Sequence, residues 1–344
     1  MRQFVLQFPV LIGDIGGTNA RFSIISKKGN EEQIFSTKTV SDYSNIDAAI
    51  EQSVLPIAKV KPRSLMLAIA GPVEGEEITL TNSHWVIRPN ELIEKFSFEN
   101  VFVINDFEAQ ALATVTLQND YLQCVGEVNN KIAGSRVILG PGTGLGVAGL
   151  THANGRYLPI AGEGGHIDYS PRSERDLQLF SLLDRIEGRV SAEQLLSGRG
   201  LMNIYRAICQ ADGVAPAFNS PNAITIAAHS KINQQASETV DFFLTYLARL
   251  SGDFALIFKA NGGVYIGGGI TPKIFKLIDQ KAFREAFEDK APHRNLLKNI
   301  PIFVMTHPRA ALEGMATFAK YPLKFTMDIG NRVWPHDLEK DFDE

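Results

Sequence analysis

The sequence predicts an α/β protein built from two similar α/β domains. Strand-like and helix-like apolar patterns alternate along the chain. The pattern begins again in the second half, and each half has a glycine-rich turn between strand-like runs, Gly13–Asn19 and Gly140–Gly146. The 344 residues exceed one ordinary core and correspond to two domains of roughly 150 residues each. We therefore expect an interdomain cleft, because clefts between domains are preferred ligand sites.

The first half is predicted to run from three strands through a helix to a further strand, and then to a final strand and helix. Its predicted strands are Val10–Gly13, Ala20–Ser26, Gln33–Val40, Ser64–Ala70 and Val101–Ile104, and its helices are Ser44–Leu55 and Phe107–Thr116. Apolar residues at helical spacing indicate the first helix, Ser44 with Asp47 resembles a capping box at its start, and Pro56 limits its end.

The second half repeats the opening strands and then becomes more helical. Its predicted strands are Ser135–Leu139, Val147–Thr151, Arg156–Ile160, Val264–Ile266 and Ile302–Met305, and we expect Ile302–Met305 to be the last strand of the chain. Its predicted helices are Glu174–Ile186, Ala192–Leu196, Met202–Asp212, Val240–Lys259 and Lys273–Asp279. Ser173 and Asp176 can form a capping box. Inside the longest helix, one apolar stripe indicates a core helix and consists of Phe243, Leu247, Leu250, Phe254 and Ile257.

These elements predict a domain organisation. We expect a small α/β domain over residues 1–116 and a large α/β domain over residues 117–309. A last helix at about residues 310–321 is expected to pack back on the first domain, and residues 322–344 form a C-terminal extension.

Composition excludes several classes of function. Lysine and arginine number 34 against 38 acidic residues, a net charge of −4, so no basic excess is present to bind a nucleic acid. The two cysteines, Cys124 and Cys209, exclude a disulfide framework and a four-cysteine zinc site, and they fit a reducing compartment. The start of the chain lacks a signal-peptide pattern, and the uncharged stretch Val137–Thr151 is too short and glycine-rich to span a bilayer. We predict a cytoplasmic protein with no nucleic-acid or membrane partner; whether it forms a homodimer stays open.

The turn Gly13–Asn19 is a candidate phosphate site. Glycine turns expose consecutive backbone N–H groups that can bind phosphate oxygens. Asp14 would repel a phosphate unless a cation lies between them, so it indicates Mg²⁺, bound through water. The alternative is an ordinary hairpin with a Gly-Gly turn.

Two later glycine-rich turns are further candidates. Gly140–Gly146 contains the dinucleotide-fold spacing G-x-G-x-x-G, but that motif requires a helix, and the residues after it are typical of a strand. A second phosphate-binding hairpin is favoured. The turn Gly267–Gly269 lies between a strand and the helix Lys273–Asp279, where it could let a nucleotide lie against the backbone or could serve close packing.

Polar residues supply the remaining candidates. Asn105 and Asp106 follow a buried strand, where α/β sheets place ligands, although Asn105 as N-cap with Glu108 closing a capping box is the alternative. The glycine-rich segment around Glu163 and His166 is predicted to be a loop that displays both side chains or a surface turn. Glu193 could bind a ligand, or it could be a first-turn carboxylate that the helix dipole stabilises.

Taken together, the motifs resemble those of the bacterial ATP-dependent glucokinases, which belong to the sugar kinase/actin/heat-shock ATPase superfamily. The resemblance covers roughly residues 11–321 and rests on seven motifs in order, which are G-D-I-G-G-T-N-A-R, T-N-S-H-W, I-N-D-F-E-A, G-P-G-T-G-L-G, G-E-G-G-H-I-D, V-S-A-E-Q-L-L-S-G and G-G-G-I. It implies two actin-like (ribonuclease H-like) α/β domains with the ligands in the interdomain cleft.

The resemblance also implies roles for individual residues. ATP would be held by Gly13, Asp14, Ile15, Gly16, Gly17, Thr18, Gly142, Thr143, Gly144, Gly267, Gly268 and Gly269. Asp14 would position Mg²⁺. Glucose would be bound by Asn82, Asn105, Asp106, Glu163, His166 and Glu193, with Asp106 as the base facing the 6-hydroxyl. The cysteine-rich zinc motif of the related ROK kinases is absent, so no zinc is expected.

The expected function is ATP-dependent phosphorylation of glucose to glucose 6-phosphate, a reaction of glycolysis. One alternative is a kinase for another hexose. A second is a non-catalytic sugar-sensing regulator on the same fold, disfavoured because only twelve residues precede Gly13. A third is an actin-type ATPase, which would keep the phosphate turns but has no need of the residues at positions 163, 166 and 193.

Overall fold

The structure is a computed structural model that describes residues 6–27, 32–127 and 133–335. In chain order the strands are β1 (Val10–Ile15), β2 (Asn19–Ile25), β3 (Glu32–Ile34), β4 (Lys38–Thr39), β5 (Ser64–Ile69), β6 (Ile78–Thr79), β7 (Val86–Ile87), β8 (Asn100–Asn105), β9 (Leu122–Cys124), β10 (Arg136–Pro141), β11 (Leu145–Ala153), β12 (Arg156–Gly162), β13 (Gly263–Ile266), β14 (Ile302–Met305) and β15 (Val333–Trp334). The α-helices are α1 (Ile46–Ser53), α2 (Pro89–Phe96), α3 (Asp106–Ala113), α4 (Glu174–Phe180), α5 (Gly198–Ala211), α6 (Pro221–His229), α7 (Gln234–Ile257), α8 (Thr271–Ile274), α9 (Gln280–Glu288), α10 (Arg294–Lys298) and α11 (Ala310–Lys320).

The two main sheets share one strand arrangement. The first has the order β15-β8-β5-β1-β2-β3, with β4 also paired to β2, and the second has the order β12-β11-β10-β13-β14-β9. In each sheet the three central strands are parallel, an antiparallel hairpin partner flanks them on one side, and a short antiparallel strand closes the other. The prediction of two similar α/β halves is confirmed by this repeat.

The chain forms two compact units. Unit 1 comprises segments Met1–Leu117, His152–Ile160 and Pro308–Glu344, and unit 2 comprises Gln118–Thr151 and Ala161–His307. The predicted bounds, 1–116 and 117–309, differ from this division mainly at residues 152–160; they stay a prediction.

Unit 1 includes part of the predicted C-terminal extension. Helix α11 lies against α3 and β1. Further on, β15 pairs antiparallel with β8 through Val333 opposite Phe102. Phe325 and Trp334 are both buried, at 1% exposure. Because β15 comes after Ile302–Met305 in the chain, the prediction that Ile302–Met305 is the last strand is wrong. Residues 336–344 lie outside the described part of the chain.

Several predicted elements are confirmed, and others require correction. The capping box of Ser173 with Asp176 is present at the start of α4, but α4 ends at Phe180 and not at Ile186. The predicted helix Ala192–Leu196 is a single 3-10 turn. The predicted strand Gln33–Val40 is divided into β3 and β4, which pair with opposite ends of β2.

The predicted capping box of Ser44 with Asp47 is wrong. Helix α1 begins at Ile46, two residues after the predicted start, and its N-cap residue, Asn45, makes no side-chain capping bond. The Asn45 amide instead exchanges two hydrogen bonds with the backbone of Val86, at 3.0 and 3.1 Å. A tertiary contact thus replaces the local cap.

Unit 2 is built around α7. Four members of its predicted stripe are buried among the residues of the unit 2 core, whereas Ile257 is 68% exposed at the last position of the helix. No helix among the described residues is long and apolar enough to cross a bilayer.

Candidate active site

The corner between β8 and α3 carries Asn105 and Asp106. Asn105 is the N-cap of α3 and its Oδ1 accepts a hydrogen bond from the Phe107 backbone N–H at 2.8 Å. Glu108 reaches back to accept from the Asn105 N–H at 3.0 Å, which completes the predicted capping box. Asn105 Nδ2 donates to the Gly71 carbonyl at 3.3 Å. The corner is therefore held by local bonds on both sides of Asp106, which is half-buried and begins the helix.

The turn after β1 is a hairpin, as the alternative interpretation expected. Gly16 N–H donates to the Asn19 carbonyl at 3.0 Å, and Ile15 lies opposite Ala20. A Cβ on Gly17 would lie 2.5 Å from the Asn82 carbonyl oxygen, so the turn packs directly on the segment that contains Asn82. In this register, β5 connects the turn to the Asn105 corner, because Ile69 is paired with Ile15 on one side and with Asn105 on the other.

Asp14 forms an ion pair within this hairpin. Its Oδ2 accepts a hydrogen bond from Arg21 Nη1 at 3.1 Å, and the two residues face each other across β1 and β2. Burial raises the pKa of the Asp14 carboxyl, and the Arg21 charge opposes this rise. One buried carboxylate fits an Mg²⁺ ion that keeps its waters, and the described residues contain no cluster of three His, Cys, Asp or Glu side chains that would hold a metal directly.

In unit 2, the turn Gly142–Gly144 is also a hairpin. It joins β10 to β11, with Pro141 opposite Leu145, so the dinucleotide-fold interpretation fails because a strand follows the turn and not a helix. Gly142 N–H donates to the Gly144 carbonyl at 2.8 Å, and Gly198 N–H at the start of α5 donates to the Gly142 carbonyl at 2.9 Å.

The turn Gly267–Gly269 lies beside this hairpin. Gly267 N–H donates to the Leu139 carbonyl at 2.8 Å and Ile270 N–H donates to the Pro141 carbonyl at 3.2 Å. A Cβ on Gly142 would lie 3.9 Å from the Gly269 backbone nitrogen. The two predicted ATP turns of unit 2 are thus neighbours. The helix after them, α8, is shorter than predicted and begins two residues earlier.

Glu163 and His166 are displayed by a 3-10 turn after β12. Their side chains are 74% and 56% exposed, and Glu163 Oε2 lies 3.8 Å from His166 Nε2. Gly165, between them, packs against the Leu145 carbonyl with no room for a side chain. This exposed turn fits both the predicted loop that displays the two side chains and the alternative of a surface turn.

Glu193 reaches the same hairpin from another segment. Its Oε2 accepts a hydrogen bond from the Leu145 N–H at 3.0 Å, and its Oε1 accepts from Arg199 Nη2 at 2.9 Å. A residue implied to bind sugar therefore also holds the backbone beside the predicted phosphate turn. The Glu193 carboxylate and the turn that carries Glu163 and His166 thus both contact the backbone of Leu145, the latter through Gly165.

Sequence reasoning missed the arginines that accompany these carboxylates. Arg21 pairs with Asp14, Arg199 with Glu193, and Arg332 with Glu108. The hairpin prediction contained a signal for the first pair, because a turn at residues 16–19 sets positions 14 and 21 opposite each other. No local pattern indicates the Arg332 pair, whose members are separated by 224 positions.

The repeated sheet order and the glycine hairpin after the first parallel strand of each sheet, β1 and β10, define an actin-like α/β protein of the sugar-kinase class. A family model described as "Glucokinase" matches residues 11–322. The chain belongs to the glucokinase family.

Known relatives are similar in sequence or structure to nearly the whole chain. A protein from Agrobacterium fabrum named "Glucokinase" is 53% identical over 329 residues, which is 96% of this chain and 97% of the relative. The crystal structure of a glucokinase from an Antarctic psychrotroph has a TM-score of 0.80 and 30% identity, covering 90% of this chain and 98% of that one. The glucokinase of Balamuthia mandrillaris, solved with glucose, has a TM-score of 0.74 at 20% identity over 90% of this chain and 93% of that one, a likeness of fold.

Proposed function

We propose that this protein is an ATP-dependent glucokinase that phosphorylates D-glucose at the 6-hydroxyl. The observation that carries the proposal is family membership over residues 11–322, together with 53% identity to a bacterial glucokinase. The polar residues support it, because carboxylates, amides and an imidazole match hydroxyl groups that both donate and accept hydrogen bonds.

Asp106 is the proposed general base. It takes the proton of the glucose 6-hydroxyl while the oxygen bonds to the γ-phosphorus of ATP and the bond from that phosphorus to the bridging oxygen breaks, releasing ADP. The transition state of phosphoryl transfer is loose, so the proton leaves late and a weak base is sufficient. The N-terminus of α3 favours a charged carboxylate at Asp106, and the capped Asn105 corner supports its fixed placement.

Asn82, Asn105, Glu163, His166 and Glu193 are the proposed partners of the sugar hydroxyls. The backbone N–H groups of the three glycine turns, Gly13–Thr18, Gly142–Gly144 and Gly267–Gly269, are the proposed phosphate ligands. Asp14 would hold Mg²⁺ through water, and the ion would neutralise phosphate charge when bound.

A coupled assay with ATP and a panel of hexoses tests the proposal. We expect glucose to have the highest kcat/KM among glucose, mannose, fructose and N-acetylglucosamine. A higher value for another sugar would establish the alternative of a different hexose kinase. No phosphorylation of any hexose would favour the regulator if glucose still binds, and the actin-type ATPase if ATP is hydrolysed without sugar.

Glu193→Gln is expected to lower kcat/KM for glucose by about tenfold, since a buried polar contact contributes about 1–3 kcal/mol. The loss should be smaller for mannose and 2-deoxyglucose, which narrows the preference for glucose. Steady-state kinetics on the three sugars measures this. Arg199→Met is the control, because it removes the ion pair but keeps the carboxylate; an equal loss of preference there would assign the effect to the ion pair.

Asp14→Ala is expected to raise KM for Mg·ATP by about tenfold, the lower range for loss of a group that holds a metal through water. Glucose binding without nucleotide should stay within about twofold, because the partners proposed for the sugar are untouched. ATP titrations at several Mg²⁺ concentrations and calorimetry with glucose measure the two quantities. Arg21→Met serves as control: if it reproduces the change in Mg²⁺ dependence, Asp14 acts only through its arginine.

The remaining expectations rest on composition. A cytoplasmic location and the lack of nucleic-acid or membrane partners are predictions from charge and from two free cysteines. The partners in this proposal are glucose and ATP.

A further inference from the structure

The C-terminal strand β15 pairs with β8, the strand that leads to the proposed base. Val333 and Trp334 pair with Phe102 and Val101 of β8, and Val103 N–H donates to the Arg332 carbonyl at 3.0 Å. Strand β8 leads directly into the Asn105 corner. The segment of residues 332–334 is thus hydrogen-bonded to the strand that leads to Asp106.

Arg332 reaches from this segment to Glu108. Its Nη1 donates to both oxygens of the carboxylate, at 2.9 Å to Oε1 and 3.2 Å to Oε2. The Glu108 side chain is 1% exposed and that of Arg332 is 19% exposed. Burying a carboxylate is costly unless a charged partner compensates it, and Arg332 supplies that partner for Glu108.

Glu108 connects Arg332 to the Asn105 corner. The oxygen that accepts from Asn105 N–H at 3.0 Å, Oε2, is one of the two that Arg332 binds. Asn105 in turn accepts from the Phe107 N–H, so a series of bonds connects Arg332 to the backbone on both sides of Asp106.

We propose that Arg332 is a positioning residue for Asp106, acting through Glu108 and the Asn105 cap. The proposal rests on the function proposed for Asp106. It also assigns a role to the C-terminal segment, because the pairing of β15 with β8 places the preceding residue, Arg332, next to Glu108. Small displacements of a reacting group lower rates strongly, so the effect is expected in kcat.

Arg332→Met tests the proposal, with Arg332→Lys as the conservative variant. The control is Arg63→Met, which breaks a more exposed arginine–glutamate pair, to Glu99 at the other end of β8. We expect Arg332→Met to lower kcat by about tenfold or more, Arg332→Lys to recover most of it, and Arg63→Met to stay within about twofold of wild type. KM for ATP should be unchanged within about twofold in all three, because the glycine turns are not touched.

Hydrogen exchange of the amides of Asn105 and Phe107 is the second readout and needs no activity. These amides should exchange faster in Arg332→Met and at the wild-type rate in Arg63→Met. Wild-type kcat and exchange in Arg332→Met would overturn the proposal, as would an equal loss of kcat in Arg63→Met. If Arg332→Met does not fold, Arg332→Gln, which keeps one donor without the charge, is judged by the same two measurements.

The outcomes separate this proposal from the proposed function. If wild type does not phosphorylate glucose, or Asp106→Asn keeps its kcat, the function or the base assignment fails. Faster exchange at Asn105 and Phe107 in Arg332→Met would still establish the hold on the corner, and unchanged exchange would refute it.

Discussion

Asp106→Asn is expected to lower kcat at least about 100-fold while glucose still binds, because the amide keeps the shape of the side chain but cannot accept the proton. The Asp106 carboxylate accepts a hydrogen bond from the Phe107 N–H at 3.0 Å, and the amide oxygen of asparagine can keep that bond. Rapid-quench kinetics of glucose 6-phosphate formation and calorimetry with glucose measure the two effects separately.

Asp47→Asn is the matched control, since Asp47 is also a first-turn carboxylate, in α1, and is bound to Lys95 at 2.8 Å. Its kcat should equal that of wild type. A near-normal kcat in Asp106→Asn would remove Asp106 from the role of base, whatever the substrate proves to be.

Gly314→Ala is expected to destabilise the protein by about 3 kcal/mol, the upper part of the usual range for overpacking. Alanine ordinarily stabilises a helix by about 1 kcal/mol relative to glycine, so the expected sign is reversed here. The reason is a close approach of α11 to α3: a Cβ on Gly314 would overlap the Ala109 carbonyl oxygen and would lie 2.9 Å from the Ala113 nitrogen. Chemical denaturation measures the change in the free energy of unfolding.

Gly330→Ala is the control for this prediction. Its Cβ would make an ordinary contact, 3.5 Å from Asp328 Oδ1, and the change should stay within about 0.5 kcal/mol. Because Asp106 begins α3, Gly314→Ala should also lower kcat in the protein that remains folded. A Gly314→Ala protein as stable as wild type would show that the two helices separate at little cost.

Local patterns were most informative where one segment makes its own structure. The parallel strands of both sheets are mainly apolar and mostly buried, and Ile302–Met305 was predicted with the bounds that β14 has. The capping boxes at α3 and α4 were predicted because every group that forms them lies within a few residues. The two glycine hairpins were recognised for the same reason.

The misses occurred where a distant partner decides the local structure. Asn45 caps nothing in α1 because Val86 takes its side chain. Strand β9 was not predicted, because it forms by pairing with β14 and carries little apolar pattern of its own. Helix α9, by contrast, was missed although its signal is local: the Asp279 side chain caps it, and its buried residues Phe283 and Phe287 lie four positions apart.

The sequence by itself determined the α/β class, the repeated halves, the family and the identity of the candidate site residues, because these depend on local spacing and on motifs. Only the tertiary structure decided which charged or hydrogen-bonding groups pair with those residues and their neighbours. Arg332 meets Glu108 across 224 positions, and Glu193 meets the Leu145 N–H across 48. Such pairs arise from strand order and burial, since a buried carboxylate requires a hydrogen-bond donor from whichever segment the fold brings next to it. No periodic pattern in the sequence indicates which segment that is.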